Sequence, residues 1–257
     1  MLKKHKKLAV TFTIILVLIL LFFLPLYIFP KPGKIMLSFD LTARDSDKQV
    51  RDVLGLLAAH DIHATFFVTG KFAENRPDLI NELDETGHEI ACSAYEPVNL
   101  RRLNHSEQAD QIEKCMFAVD NILGELPVGF RAPQRKENTV TQAILATHAI
   151  EYDATSFENV PLYYPDARVY PAKTSSYWMF LLSDKVMLDY YHFNPETYFS
   201  LMVNKPGNIG SFAFHPHIIT QHKHEFNKVL KYWSATEVEF MTHSARYQEI
   251  VAEGRSK

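Results

Sequence analysis

The chain has 257 residues and a formal net charge of −3, but its charges are unevenly placed. No Asp or Glu precedes Asp40, so all 30 acidic residues share the later part of the chain with 21 of the 27 basic ones, leaving that part formally at −9. An acidic domain without a basic stripe lacks the electrostatic footprint of a nucleic-acid binder, so no nucleic-acid partner is expected, and its field repels anionic polymers at long range, so neutral or N-acylated sugars fit better.

The 22 residues from Leu8 to Phe29 carry no charge and match the roughly 20 that cross ~30 Å of hydrocarbon. They predict a retained transmembrane helix, because Leu26-Tyr27-Ile28-Phe29-Pro30 offers no small-residue cleavage site. Lys3, Lys4, Lys6 and Lys7 precede the span, and only Lys31 and Lys34 follow it closely. That bias places the N-terminus in the cytoplasm and the domain outside. Residues 1–34 are thus a basic stub, anchor and linker, and 35–257 a single outer domain.

Within that domain short apolar runs alternate with helical patterns, the signature of βα units around a mostly parallel sheet or barrel. Ile35 to Phe39 reads as the first strand, followed by a helix with Val50, Val53, Leu54 and Leu57 on one face. Ala64 to Gly70 is the next strand, Pro77 opens a short helix, and His88 to Cys92 is the third strand. Ser106 is placed to cap a helix whose Ile112, Met116, Val119 and Leu123 share a face. Val128 to Arg131 is a fourth strand, Thr139 to Thr147 a helix, and Tyr152-Asp153 follows. Pro161 to Phe193 is Tyr-rich and reads as loops and short strands. Pro195 opens a helix, Gly210 to Phe214 is a late strand, Glu225 to Trp233 is helical, and Val238 to Met241 precedes a terminal helix. Cys92 and Cys115 could pair in an oxidising exterior, but two cysteines define no framework and read better as buried thiols.

Four motifs carry chemistry. The first is Ser38-Phe39-Asp40-Leu41. The second is Gly87-His88-Glu89-Ile90-Ala91-Cys92-Ser93-Ala94-Tyr95-Glu96-Pro97-Val98-Asn99-Leu100. The third is Phe130-Arg131-Ala132-Pro133, and the fourth, Phe212-Ala213-Phe214-His215-Pro216-His217, comes late in the chain. In order and spacing they resemble the polysaccharide deacetylases, the NodB homology group related to carbohydrate esterase family 4, from Ile35 to about Glu253. The resemblance implies a distorted (β/α) barrel with its site at the C-terminal ends of the strands.

Matched position by position, Asp40 stands where the family has a general base and Arg131 where an arginine orients it. Asp153 stands where a carboxylate tunes the general acid, and His215 where a histidine protonates the leaving amine. Tyr95, Phe157 and Phe214 are the substrate-contact candidates. The family's divalent metal, such as zinc, is held at positions that here are Leu41, Ser93 and Pro97. Leucine and proline have no side-chain ligand atom and a serine hydroxyl is a poor one, so no metal cofactor is expected.

Each residue also has a plainer reading. Asp40 could cap a turn, Arg131 could be its structural ion-pair partner, His88 reads as a packed histidine, and His215 could be a core or sugar-contacting one. Substitute ligands fare worse: His215 and His217 form one His-x-His pair, while His222 and His224 form another that reads as part of a solvated loop. Glu96 lies beside the lost ligand position at Pro97, and Asp45, another acidic candidate near Leu41, does not match the family spacing. Two functions remain open: a membrane-anchored pseudoenzyme that binds an N-acylated glycan or scaffolds envelope enzymes, and a metal-independent hydrolase of amide C–N bonds in an N-acylated carbohydrate. A purely structural protein would instead fill the groove with side chains.

Overall fold

The structure, a computed structural model, describes residues 33–148, 150–155, 170–171, 184–203, 209–236 and 238–255. The span at 8–29, Phe157 and most of 161–193 lie outside the described residues. Among the described residues no helix is long and apolar enough to cross a membrane.

The run Lys34–Leu41 forms strand β1, buried almost throughout. Such near-continuous apolar character belongs to a strand covered on both faces of a parallel sheet. It pairs in parallel with β2 (Thr65–Val68), where Ser38 faces Thr65, and with β7 (Ile209–Phe214), where Phe39 faces Phe214. From β2 the ladder continues through β3 (Glu89–Cys92), β4 (Gly129–Phe130) and β5 (Tyr152–Asp153) to β6 (Tyr170–Pro171). A short β8 (Glu239–Phe240) pairs with the start of β1. All pairings are parallel, and β6 and β7 end the ladder without meeting among the described residues. The expected barrel is therefore, among the described residues, a curled half-barrel.

Helices follow the predicted faces. Helix α1 (Asp47–Ala58) starts at a capping box between Ser46 and Gln49 and buries Val50, Val53, Leu54 and Leu57. Helix α2 (Gly70–Asn75) approaches α4 (His105–Leu123) so closely that a Cβ on Gly70 would lie 2.9 Å from Cys115 Cα. Between them lies α3 (Pro77–Glu85). The cap of α4 is Asn104 rather than Ser106: its side chain accepts from Glu107 N, and Glu107 returns a bond to Asn104 N. That reciprocal pair satisfies two orphan amides and starts the helix before Ser106. Asn138 caps α5 (Thr139–Thr147) in the same way. After α6 (Pro195–Val203) and the single turn α7 (Pro216–Ile219), residues 223–234 form α8 (Lys223–Ser234). His224 thus lies on a helix and His222 in the turn before it, not in a loop. Helix α9 (His243–Arg255) closes the domain.

The core is aromatic where β1 and β7 meet α8. Phe39 stacks on Phe66 with centroids 5.2 Å apart, and Phe214 meets Phe226 at 5.1 Å. Each such ring, fully buried, contributes about 2 kcal/mol of transfer free energy. Leu41 belongs to this cluster, 1% exposed.

Cys92 at the end of β3 and Cys115 on α4 form a disulfide, with Cα atoms 6.1 Å apart. The expectation of two thiols is corrected here: α4 lies across β3 and brings together residues 23 apart in sequence. Replacing both cysteines with Ala is expected to lower unfolding stability by about 3 kcal/mol. Urea unfolding of wild type and variant measures this, and coincident midpoints would refute a stabilising cross-link.

Candidate functional site

Parallel strands deliver their C-terminal ends to one rim, and the predicted site residues lie there. Asp40 is next to last in β1, Ser93 follows β3, Arg131 follows β4, Asp153 ends β5 and His215 follows β7. Among the described residues the rim encloses a cavity of about 850 Å³ with Asp40, Ser93, Pro97, Arg135, His215 and His217 on its wall.

Arg131 is the buried centre of this rim, its side chain 2% exposed. Nη1 donates to Asp40 Oδ1 at 2.9 Å, Nη2 to Ser38 Oγ at 2.9 Å, and Nε to Ala154 O at 3.3 Å. Its guanidinium carbon sits 3.7 Å from the centroid of the Phe67 ring, a cation–π contact strengthened by burial. Burial pushes the Asp40 carboxyl up, but Arg131, Arg135 and His215 outweigh it and hold Asp40 below its ordinary value. Asp40 is a carboxylate with Oδ1 committed to Arg131, the state a general base requires.

His215 is held by Asp184, whose Oδ2 accepts the His215 backbone N–H at 2.6 Å while Oδ1 meets Nδ1 at 2.9 Å. Burial lowers the imidazole, but the charge and hydrogen bond of Asp184, helped by Asp40, raise it to about 9. His215 is therefore an imidazolium at neutral pH, a proton donor. Asp45 makes the same two contacts with His217, accepting from its N–H at 3.2 Å and meeting its Nδ1 at 2.8 Å. Both carboxylates are fully buried, and each fixes Nε2 as the nitrogen its histidine has left for the cavity.

Several predicted roles shift. Asp153 binds Thr155 N and Oγ1 within its own loop, so the carboxylate on His215 is Asp184. Asp184 was missed because it lies in the Tyr-rich segment, 31 residues before His215, and no local pattern links them. Asp45, discounted on spacing, is a full partner of His217. Beside Asp153, burial and the Asp153 charge raise buried Glu137 to about 9, and its Oε2 has no hydrogen-bond partner among the described residues. Tyr95 is not on the cavity wall: its hydroxyl donates to Glu74 at 2.8 Å and its ring faces Lys114. Phe214 reaches the wall, but its ring packs in the core against Phe39 and Phe226. His88 is packed as expected, its Nδ1 accepting from Ala64 N and its titration lowered to about 4 by burial. Gln134 and Arg135, both at φ 56°, hold a left-handed turn at the rim, a conformation non-glycine residues keep at functional sites.

The positions the family uses for metal do not fit one. Leu41 is packed in the core, the Ser93 hydroxyl donates to Arg131 O at 2.8 Å, and Pro97 has no side-chain donor. Glu96 pairs with Lys71 at 2.6 Å. Among the described residues no group of three or more His, Cys, Asp or Glu side chains is placed to hold a metal ion.

The raised titration of His215 makes a linkage prediction. A base whose folded value exceeds its ordinary 6.5 stabilises the fold fully below pH 6.5 and loses that contribution as pH rises to about 9. Asp184→Asn should abolish this decline, and the His215 ring should titrate at lower pH by NMR. A wild-type ring titrating near 6.5 would refute the pairing.

Residues 30–152 match the family model for polysaccharide deacetylase. Chitooligosaccharide deacetylase of Bradyrhizobium sp. is 35% identical over 99 residues, 38% of this chain and 44% of that protein. Peptidoglycan-N-acetylglucosamine deacetylase of Bacillus cereus is 32% identical over 81 residues, 32% of this chain and 30% of that one. The chain thus spans less than half the length of these relatives. A Bacillus anthracis structure described as a CE4 family pseudoenzyme superposes with a TM-score of 0.64 at 13% identity, covering 85% of this chain and 66% of that one. Puue allantoinase superposes at 0.70 with 14% identity, covering 85% and 92%. At such identities the structural likeness carries the fold alone. With its motifs in order, its half-barrel and these matches, the matched region, residues 30–152, belongs to the polysaccharide deacetylase family, the NodB or carbohydrate esterase family 4 group.

Proposed function

We propose that this domain is a glycan-binding or scaffolding pseudoenzyme, anchored through residues 8–29 and facing outward, with an N-acylated glycan as its ligand. The observation that carries this reading is the fate of the ligand positions: Leu41 is part of the core and the Ser93 hydroxyl is committed to a backbone carbonyl, while the cavity stays open at about 850 Å³. An open groove argues against a purely structural protein. The relatives whose names specify chitooligosaccharide or peptidoglycan substrates support a glycan. The Cys92–Cys115 disulfide supports an oxidising exterior.

A second reading has its own observation, the protonation states of Asp40 and His215. In a metal-independent hydrolase, Asp40 takes a proton from water as its oxygen attacks the acyl carbon. His215 then protonates the departing nitrogen as the C–N bond breaks, giving a carboxylate and a free amine. Arg135 on the wall would face the developing oxyanion.

Metal content, turnover and binding of N-acetylated chito-oligosaccharides by the full chain separate the two. The pseudoenzyme reading expects no stoichiometric zinc, no acetate release, and binding that survives Asp40→Asn. Chelator-resistant acetate release that is lost in Asp40→Asn would establish the hydrolase instead. Its rate should fall as pH rises past about 9, where His215 loses its proton.

A further inference from the structure

Counted over the whole outer domain, acidic residues outnumber basic ones by nine. The cavity wall reverses that balance. Arg44, Arg135, Lys136 and Lys185 line it, whereas Asp40 is the sole carboxylate among its described lining residues. Asp40 is already paired with Arg131, and the carboxylates of Asp45 and Asp184 are buried behind their histidines. The imidazolium of His215 is likewise matched by the Asp184 carboxylate, so the four basic side chains carry the excess.

These cations come from separate parts of the chain. Arg44 lies between β1 and α1, Arg135 and Lys136 between β4 and α5, and Lys185 at the start of the helical segment Lys185–Tyr190 that precedes α6. Many basic side chains elsewhere meet carboxylates, as in Lys48–Asp52, Arg51–Glu82, Lys71–Glu96 and Lys114–Asp110, whereas Arg102 and Lys231, among the described residues, do not. Arg44 and Lys136 are exposed, and among the described residues neither has a carboxylate within 4.0 Å. Lys185 is engaged only loosely, 3.7 Å from Asp189. Like charges converging on one cleft repel each other, and low-dielectric walls focus their field into the space between them. An anion placed there relieves the repulsion.

We propose that the cavity selects an acidic glycan, an oligosaccharide that carries a carboxylate or phosphate close to its N-acyl group. This rests on the reading that the cavity holds a glycan. Net domain charge governs approach from beyond a Debye length of about 8 Å, whereas recognition in the cleft is set by the charges that line it. The acidic composition therefore does not exclude an anionic ligand. Arg135, whose Nη1 is held by the Ala154 and Thr155 carbonyls, contributes charge from the wall, and the exposed Arg44 and Lys136 supply charge that a carboxylate or phosphate can meet.

The test compares three size-matched probes on the full chain by calorimetry: neutral N-acetylated chitotetraose, its C6-carboxylated form and its C6-phosphorylated form. At about 0.05 M salt the acidic probes should bind about tenfold more tightly than the neutral one, and the gap should close at about 0.5 M. The double variant Arg44→Glu, Lys136→Glu should abolish the preference, and Lys136→Ala alone should reduce it. The ranking of the two acidic probes identifies the anion. Equal affinity for all three probes overturns the proposal and leaves the glycan reading standing. Binding of none of them overturns both, and a preference untouched by charge reversal overturns the assignment to these residues.

Discussion

The buried guanidinium of Arg131 is the constraint on which the site depends. It stands between Ser38 and Asp40 on β1, the Phe67 ring on β2 and the Ala154 carbonyl after β5, while its own carbonyl accepts the Ser93 hydroxyl. A desolvated cation is tolerable only where every donor is met, and removing a partner from such a centre costs about 3–5 kcal/mol. Arg131 thus registers the ends of five strands against one another. Lysine cannot substitute, because a point charge does not reach three acceptors in one plane.

Two aspartate–histidine pairs stand on the facing side of the cavity. In each, one buried carboxylate binds both the backbone N–H and the Nδ1 of its histidine, which fixes ring position and tautomer together. Asp184 raises His215 far enough to keep it charged, so acid and base coexist at neutral pH as an imidazolium and a carboxylate. These are the protonation states that proton transfer from water to a leaving nitrogen would use. At the positions where the resemblance places metal ligands, Leu41 has joined the core and Ser93 supports Arg131.

Composition and cavity show how an average misleads. An excess of nine acidic residues describes the far field of the domain. Within the cleft, four basic side chains line the wall, and the one carboxylate among its described lining residues is already paired with Arg131.

Much of the architecture was legible in the sequence. The face of Val50, Val53, Leu54 and Leu57, the strand at Ile35 and the start of α3 at Pro77 follow from periodicity and capping, which are local physics. Asp40, Ser93, Arg131, Asp153 and His215 fall at strand ends because each directly terminates or follows an apolar run. What the sequence could not decide depends on apposition across long separations. Cys92 and Cys115 are joined because α4 crosses β3, and Asp184 rather than Asp153 charges His215 because of how the chain returns to β7. Tyr95 faces Glu74 and Lys114 instead of the cavity because of how its loop packs against α2 and α4. Local periodicity determined which residues form the strands and helices and which end at the rim, whereas only the tertiary structure decided which of those residues touch, because contacts between distant segments leave no pattern in either one.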